Sequence, residues 1–99
     1  MIYLDKEKTK KVDINPDEDN YYELTGDNTY YVFGDEKVIA RDKVTVYLKD
    51  NSRAIAFDYS RAYAFDYSIV YAHHNSRVEA YHDSEVIAYG NSKLIDKRG

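Results

Sequence analysis

The sequence predicts an all-β fold: a single-chain parallel β-solenoid, or β-helix, of octapeptide repeats, with two octads per turn and an N-terminal β cap. Three observations lead there. Residues 50–94 fall into unbroken lines of eight, from Asp50-Asn-Ser-Arg-Ala-Ile-Ala-Phe57 to Gly90-Asn-Ser-Lys-Leu94, and a fixed short repeat is read before any local motif. Ser52, Ser60, Ser68, Ser76, Ser84 and Ser92 hold the third place, and Ala56, Ala64, Ala72, Ala80 and Ala88 the seventh. Sixth-place residues match like on like when taken sixteen residues apart: Ile39, Ile55, Tyr71 and Ile87 in one series, and Tyr31, Tyr47, Tyr63, Glu79 and Ile95 in the other.

Each octad reads as one strand and one corner. Places three, five and seven are small or β-branched while places four, six and eight are larger or charged, so the period is two and the strand has unlike faces. The small face is the inner one, because Arg53, Arg61, Glu79 and Glu85 are costly to bury unpaired. Places eight, one and two hold Asp, Gly, Asn and His beside aromatics, the chemistry of a tight turn that tolerates left-handed backbone. Such units bury a face only when stacked, which makes a solenoid. A sixteen-residue turn is favoured by the matched columns, and a triangular turn of three octads is the competing geometry.

Residues 1–25 are expected to form the cap and the first, worn repeat. Ile2, Leu4, Val12 and Ile14 alternate with polar neighbours and read as two short strands around a lysine-rich, solvated connection from Lys6 to Lys11. A cap covers an edge that would invite pairing with another chain, and Pro16, without an amide hydrogen, helps to stop it. The worn octad begins at Glu18, where Asp19-Asn20-Tyr21-Tyr22-Glu23-Leu24 anticipates Asp27-Asn28-Thr29-Tyr30-Tyr31-Val32. Residues 26–99 are expected to be the solenoid domain, one folding unit. Val38, Val44, Val46 and Leu48 fill inward places with larger groups than the later alanines, so the core should be bulkier near the cap. Counted from Gly26, about nine octads make roughly four and a half turns and a rod of about 20 Å. After the last octad comes Asp96-Lys-Arg-Gly99, whose charges protect an edge; the contrary expectation is an end-to-end homodimer through Leu94 and Ile95.

Composition narrows the function classes. With 43% apolar residues and a formal net charge of −4, the chain is mildly acidic, which opposes nucleic-acid binding through bulk charge. No cysteine is present, so disulfide and thiolate chemistry are excluded. The first six residues lack the apolar core of a signal peptide and no segment is long and apolar enough to span a bilayer, so a cytoplasmic location is expected. Among His73, His74 and His82, the last two fall at opposite corners one turn after Asp58 and Asp66, with no third or fourth ligand at a fixed spacing. No metal and no cofactor are expected. Phosphate loops, nucleophile elbows and paired helical histidines are absent. The serines repeat strictly whereas a catalytic nucleophile is singular, so no enzyme is expected.

The outward columns carry the candidate contact residues. Ile39, Ile55, Tyr71 and Ile87 form an apolar column, with Phe57, His73 and Tyr89 beside it, and together with Leu94 and Ile95 they are the self-association candidates. β-Propensity alone would select such residues, but a contiguous patch also meets a partner or a second copy. Twelve tyrosines in 99 residues favour recognition, since tyrosine is common in contact surfaces. On the opposite face Tyr47 and Tyr63 lie with Arg61, Arg77 and Lys93, the candidates for binding a partner. Direct nucleic-acid contact is opposed by the net charge and by corner residues Asp42, Asp50, Asp58 and Asp66, which themselves invite comparison with phosphates.

The run from Asp50 to Leu94 resembles the Asn-Ser-x-Val-x-Ala-Tyr octapeptide repeats of small proteins from bacteria and their phages, and residues 26–49 resemble them loosely. Tyr59 and Tyr67 in place of Asn, and His74 and His82 in place of Asp or Gly, depart from that pattern and are read as a surface adapted to one partner. The resemblance implies a β-solenoid in a bacterial host cell. The function expected is a non-catalytic, protein-binding solenoid, a phage or mobile-element inhibitor of host defence of the anti-CRISPR kind, acting as a homodimer on an unidentified protein partner, for which a host-defence nuclease complex is the candidate. The alternative is a self-assembling structural rod or virion component.

Overall fold

Each octad becomes a four-residue strand because places four to seven alternate inward and outward, while a corner at places eight to three interrupts the run. The computed structural model describes residues 2–3 and 21–98. Its strands are β1 (Ile2–Tyr3), β2 (Tyr21–Leu24), β3 (Thr29–Val32), β4 (Lys37–Ala40), β5 (Thr45–Leu48), β6 (Arg53–Ala56), β7 (Arg61–Ala64), β8 (Ile69–Ala72), β9 (Arg77–Ala80), β10 (Glu85–Ala88) and β11 (Lys93–Asp96). They form two sheets, a six-stranded one in the order β1-β3-β5-β7-β9-β11 and a five-stranded one in the order β10-β8-β6-β4-β2.

Within the coil every pairing is parallel and shifts the chain by sixteen residues, as in Tyr47↔Tyr63 and Ile39↔Ile55. The flattened two-octad turn is therefore the one adopted, and the three-octad turn is excluded. The worn repeat at β2 pairs in full register with β4, from Tyr21↔Lys37 to Leu24↔Ala40. It raises the coil to five turns, half a turn more than the count from Gly26. Strand β1 pairs antiparallel with β3 through Ile2↔Val32 and Tyr3↔Tyr31. The expected cap features at Leu4, Val12, Ile14, Pro16 and the lysine-rich connection lie outside the described residues.

The core lies between the sheets and follows the octad. Leu24, Val32, Val38, Val44, Val46 and Leu48 fill it in the first turns, and Ala54, Ala56, Ala62, Ala64, Ala72 and Ala80 with Val70 and Val78 fill it later, all at most 1% exposed. A fully buried valine contributes about 1.5–3 kcal/mol and an alanine methyl about 0.8 kcal/mol. The later turns thus gain less from burial per rung and depend more on hydrogen bonding.

That bonding is most exacting at the corners. Place one has positive φ throughout: Asp42 56°, Asp50 60°, Asp58 59°, Asp66 57°, and His74 and His82 57°. Asp and His are among the few side-chain-bearing residues enriched there. The place-one carbonyl accepts the place-two amide of the next turn, as Asp42 O does from Tyr59 N at 3.0 Å. The place-one amide instead donates to the place-one side chain sixteen residues later. On one edge Gly26 N donates to Asp42 Oδ2 (2.9 Å), Asp42 N to Asp58 Oδ2 (3.0 Å) and Asp58 N to His74 Nδ1 (3.2 Å). On the other, Gly34 N donates to Asp50 Oδ2 (3.0 Å), Asp50 N to Asp66 Oδ2 (3.1 Å) and Asp66 N to His82 Nδ1 (3.2 Å).

Place one must therefore tolerate a left-handed backbone and carry a short acceptor aimed along the coil. Replacing Asp58 by Ala fails on both counts, leaving the Asp42 amide unbonded and a methyl-bearing residue at positive φ. We expect Asp58→Ala to cost about 2 kcal/mol in urea unfolding, and Asp58→Asn, which keeps the acceptor, to cost no more than about 0.5 kcal/mol.

Candidate binding faces

Parallel in-register stacking places every outward residue directly over its counterpart one turn away. On the six-stranded sheet this brings Tyr31, Tyr47 and Tyr63 into one column, with ring centroids 5.0 and 4.8 Å apart and interplanar angles of 13° and 12°. Burial, and then the neighbouring phenols Tyr63 and Tyr31, push the Tyr47 hydroxyl above its ordinary pKa. Glu79 follows the tyrosines in this column, and its Oε1 accepts a hydrogen bond from Tyr81 Oη at 2.7 Å, which is the main reason that the Tyr81 pKa is raised. Tyr81 in turn stacks on Phe65 at 4.8 Å.

Beside the tyrosines runs a second column, Arg61↔Arg77↔Lys93, all exposed. Like charges directly opposite one another are destabilising in a sheet. None of the three has an ion-pair partner among the described residues. The corner next to Arg61 adds a groove of about 420 Å³ lined by Asp27, Lys43, Thr45, Tyr59 and Arg61. Tyr59 is 64% exposed, and its departure from the repeat had marked it in the sequence; Lys43 carried no such signal. The five partner-binding candidates, Tyr47, Tyr63, Arg61, Arg77 and Lys93, thus share one face.

The self-association candidates divide. Ile39, Ile55, Tyr71 and Ile87 are in direct register on the outer face of the five-stranded sheet, all half-buried. Phe57, His73 and Tyr89 stack beside them at 5.1 and 4.7 Å, and the Arg41 guanidinium lies 4.9 Å over Phe57 while pairing with Glu23 at 2.6 Å. Ile95 instead faces outward on the six-stranded sheet, in register with Glu79. Leu94 points inward on the last strand and is 37% exposed, because no further rung covers it among the described residues.

The histidines hold corner bonds, and the serines line the interior. His74 and His82 are corner acceptors, with Nδ1 also 3.4 Å from Asp58 Oδ1 and Asp66 Oδ1. Their replacement of Asp, expected to mark a partner surface, keeps the corner bond that Asp makes in the earlier turns. No group of three metal-ligating side chains comes together among the described residues. Ser52, Ser60, Ser68, Ser76 and Ser84 are at most 2% exposed, and Ser52 and Ser68 donate to the carbonyls of Lys49 and Phe65 at 2.7 Å, so these serines are out of reach of a substrate. The corner aspartates Asp42, Asp50, Asp58 and Asp66 each spend Oδ2 on an amide, which explains them without reference to phosphates. Compared with protein-family models, curated proteins and solved structures, the chain finds no match.

At the last turn Arg98 folds back over the sheet edge. Its Nη1 donates to Ser84 O at 2.9 Å, taking the part that Glu85 N plays for Ser68 O one turn earlier, while Nε and Nη2 grip Asp96 at 2.8 Å. Hydrogen bonds from Arg98 hold the Asp96 carboxyl at about 2 rather than 3.8. A carboxylate with a depressed folded-state pKa contributes stability above its ordinary pKa and loses it as pH falls through the depressed one. Carboxyl NMR titration should place Asp96 at about 2 and, in Arg98→Ala, return it to the ordinary range; an unchanged Asp96 in that variant would remove Arg98 as the cause.

Proposed function

We propose that this protein is a non-catalytic protein-binding module whose contact face is the outer side of the six-stranded sheet. The observation that carries the reading is the Arg61–Arg77–Lys93 column, held in register beside stacked tyrosines with none of the three in an ion pair among the described residues. A repeat that sets three cations over one another accepts mutual repulsion, and a partner presenting carboxylates beside an apolar centre would relieve it. Tyrosine and arginine are also the residues most often found at the energetic centre of protein contacts.

A protein suits this face better than a nucleic acid. Tyr47 is covered on both faces by Tyr31 and Tyr63, so its ring is closed to an incoming base. The net charge of −4 opposes a phosphate backbone as well. Taken with the repeat's resemblance to phage and bacterial proteins, we read the module as an inhibitor that occupies a protein surface of a host-defence system in the bacterial cytoplasm. A self-assembling rod is the second reading, favoured by Leu94 standing 37% exposed at the last strand, with Arg98 across the neighbouring edge acting against it.

The test is capture from a bacterial lysate with the parent chain and with Tyr63→Ala/Arg77→Glu. Both changes point outward, so the variant should keep its circular dichroism and unfolding midpoint to within about 1 kcal/mol. The reading expects one partner retained by the parent and bound at least about thirtyfold more weakly by the variant. Equal retention by both chains would remove this face from the function.

A further inference from the structure

The outer face of the five-stranded sheet is separate from the proposed partner face and is patterned along the coil. From β4 to β10 its sixth-place column reads Ile39, Ile55, Tyr71, Ile87, and the fourth-place column reads Lys37, Arg53, Ile69, Glu85, each in direct register. Over these four rungs the first column is apolar, and Glu23 of β2 continues it beyond Ile39. The second is positive at the β4 end and negative at the β10 end. Neither Arg53 nor Glu85 is in an ion pair among the described residues, Arg98 acting on Glu85 only at longer range, and Lys37 has only the Tyr21 ring, 5.9 Å from its Nζ.

We propose that this face is the interface with a second copy of the chain, the two five-stranded sheets packing face to face about a two-fold axis parallel to the strands and midway between β6 and β8. That axis reverses the order of the rungs and keeps each column opposite itself. Ile39 then meets the partner copy's Ile87, and Ile55 meets its Tyr71. Lys37 meets Glu85, and the pair forms twice. In the eighth-place column Arg41 faces Tyr89, and Phe57 faces His73. A two-fold axis along the coil instead sets the fourth place against the eighth, bringing Lys37 onto Arg41, and is disfavoured by like charge. Arg53 lies opposite Ile69, so it is the outer pair of the fourth-place column, Lys37 with Glu85, together with the apolar sixth place that matches its own reverse, as an isologous contact requires.

The contact is small. Four rungs at about 4.8 Å and four residues at about 3.3 Å outline a flat area on the order of 250 Å² per copy, well under the ~800 Å² per partner of a standard interface. The dimer should therefore be weak and concentration-dependent. Sedimentation equilibrium of the full chain from low micromolar to millimolar concentration is the measurement, with circular dichroism to show that each variant is folded. Ile55→Arg should leave a monomer throughout. Lys37→Glu and Glu85→Lys should each weaken the dimer about tenfold, because every change acts twice in a two-fold contact. The double variant should restore the parent's association. A parent that stays monomeric overturns the proposal, as does a dimer indifferent to Ile55→Arg. A double variant no stronger than either single one overturns the antiparallel arrangement.

Discussion

A coil of this kind is limited by the amide at the first place of each corner. The strands settle their own hydrogen bonds with the turns above and below, and the second-place amide finds the first-place carbonyl one turn back. The first-place amide has no backbone acceptor, and the chain supplies one from a side chain sixteen residues later. Asp meets the need through Oδ2 and His through Nδ1, both at positive φ. Because the later core is largely alanine, with less to gain from burial, these bonds carry more of the register there.

Fixing the register also fixes the surface. Once each turn lies directly over the last, outward residues can only form columns, and a column amplifies whatever its place in the octad contains. Tyrosine at place six becomes the stack from Tyr31 to Tyr63, and arginine at place four becomes the row of cations. The opposite sheet, under the same rule, collects Ile39, Ile55, Tyr71 and Ile87. Two outer faces of different chemistry thus arise from a frame that is nearly the same in every octad, and the function proposed for each rests on columns rather than on a pocket.

Much of this could be read from the residues. Serine and alanine at fixed places identified the inward side, since a strand's period of two leaves no other arrangement, and matching sixth-place residues distinguished sixteen from twenty-four per turn. The grouping of Tyr47, Tyr63, Arg61, Arg77 and Lys93 followed directly. What escaped was chemistry between residues sixteen apart that do not resemble each other. His74 and His82 looked like surface departures because the amides they serve, at Asp58 and Asp66, leave no trace in local pattern. Lys43 entered the groove beside Tyr59 for a similar reason: its neighbours come from other turns. The half turn added by β2 was legible as a worn repeat from Asp19 to Leu24, but the count of turns began only at Gly26.

Amide hydrogen exchange at the corners reports on these bonds one residue at a time. Asp42, Asp50, Asp58 and Asp66 donate to a side chain of the next turn, whereas the residue one turn after His74 is Gly90, which offers none. A Cβ at Gly90 would meet nothing closer than 3.6 Å, so an aspartate fits there, at the φ of 60° that Asp50 already adopts. Slow exchange is expected at the four aspartate amides, fast exchange at His74, and slowing of His74 in Gly90→Asp. A His74 amide as protected as the others in the parent, or unchanged by Gly90→Asp, would contradict this role of the corner bonds.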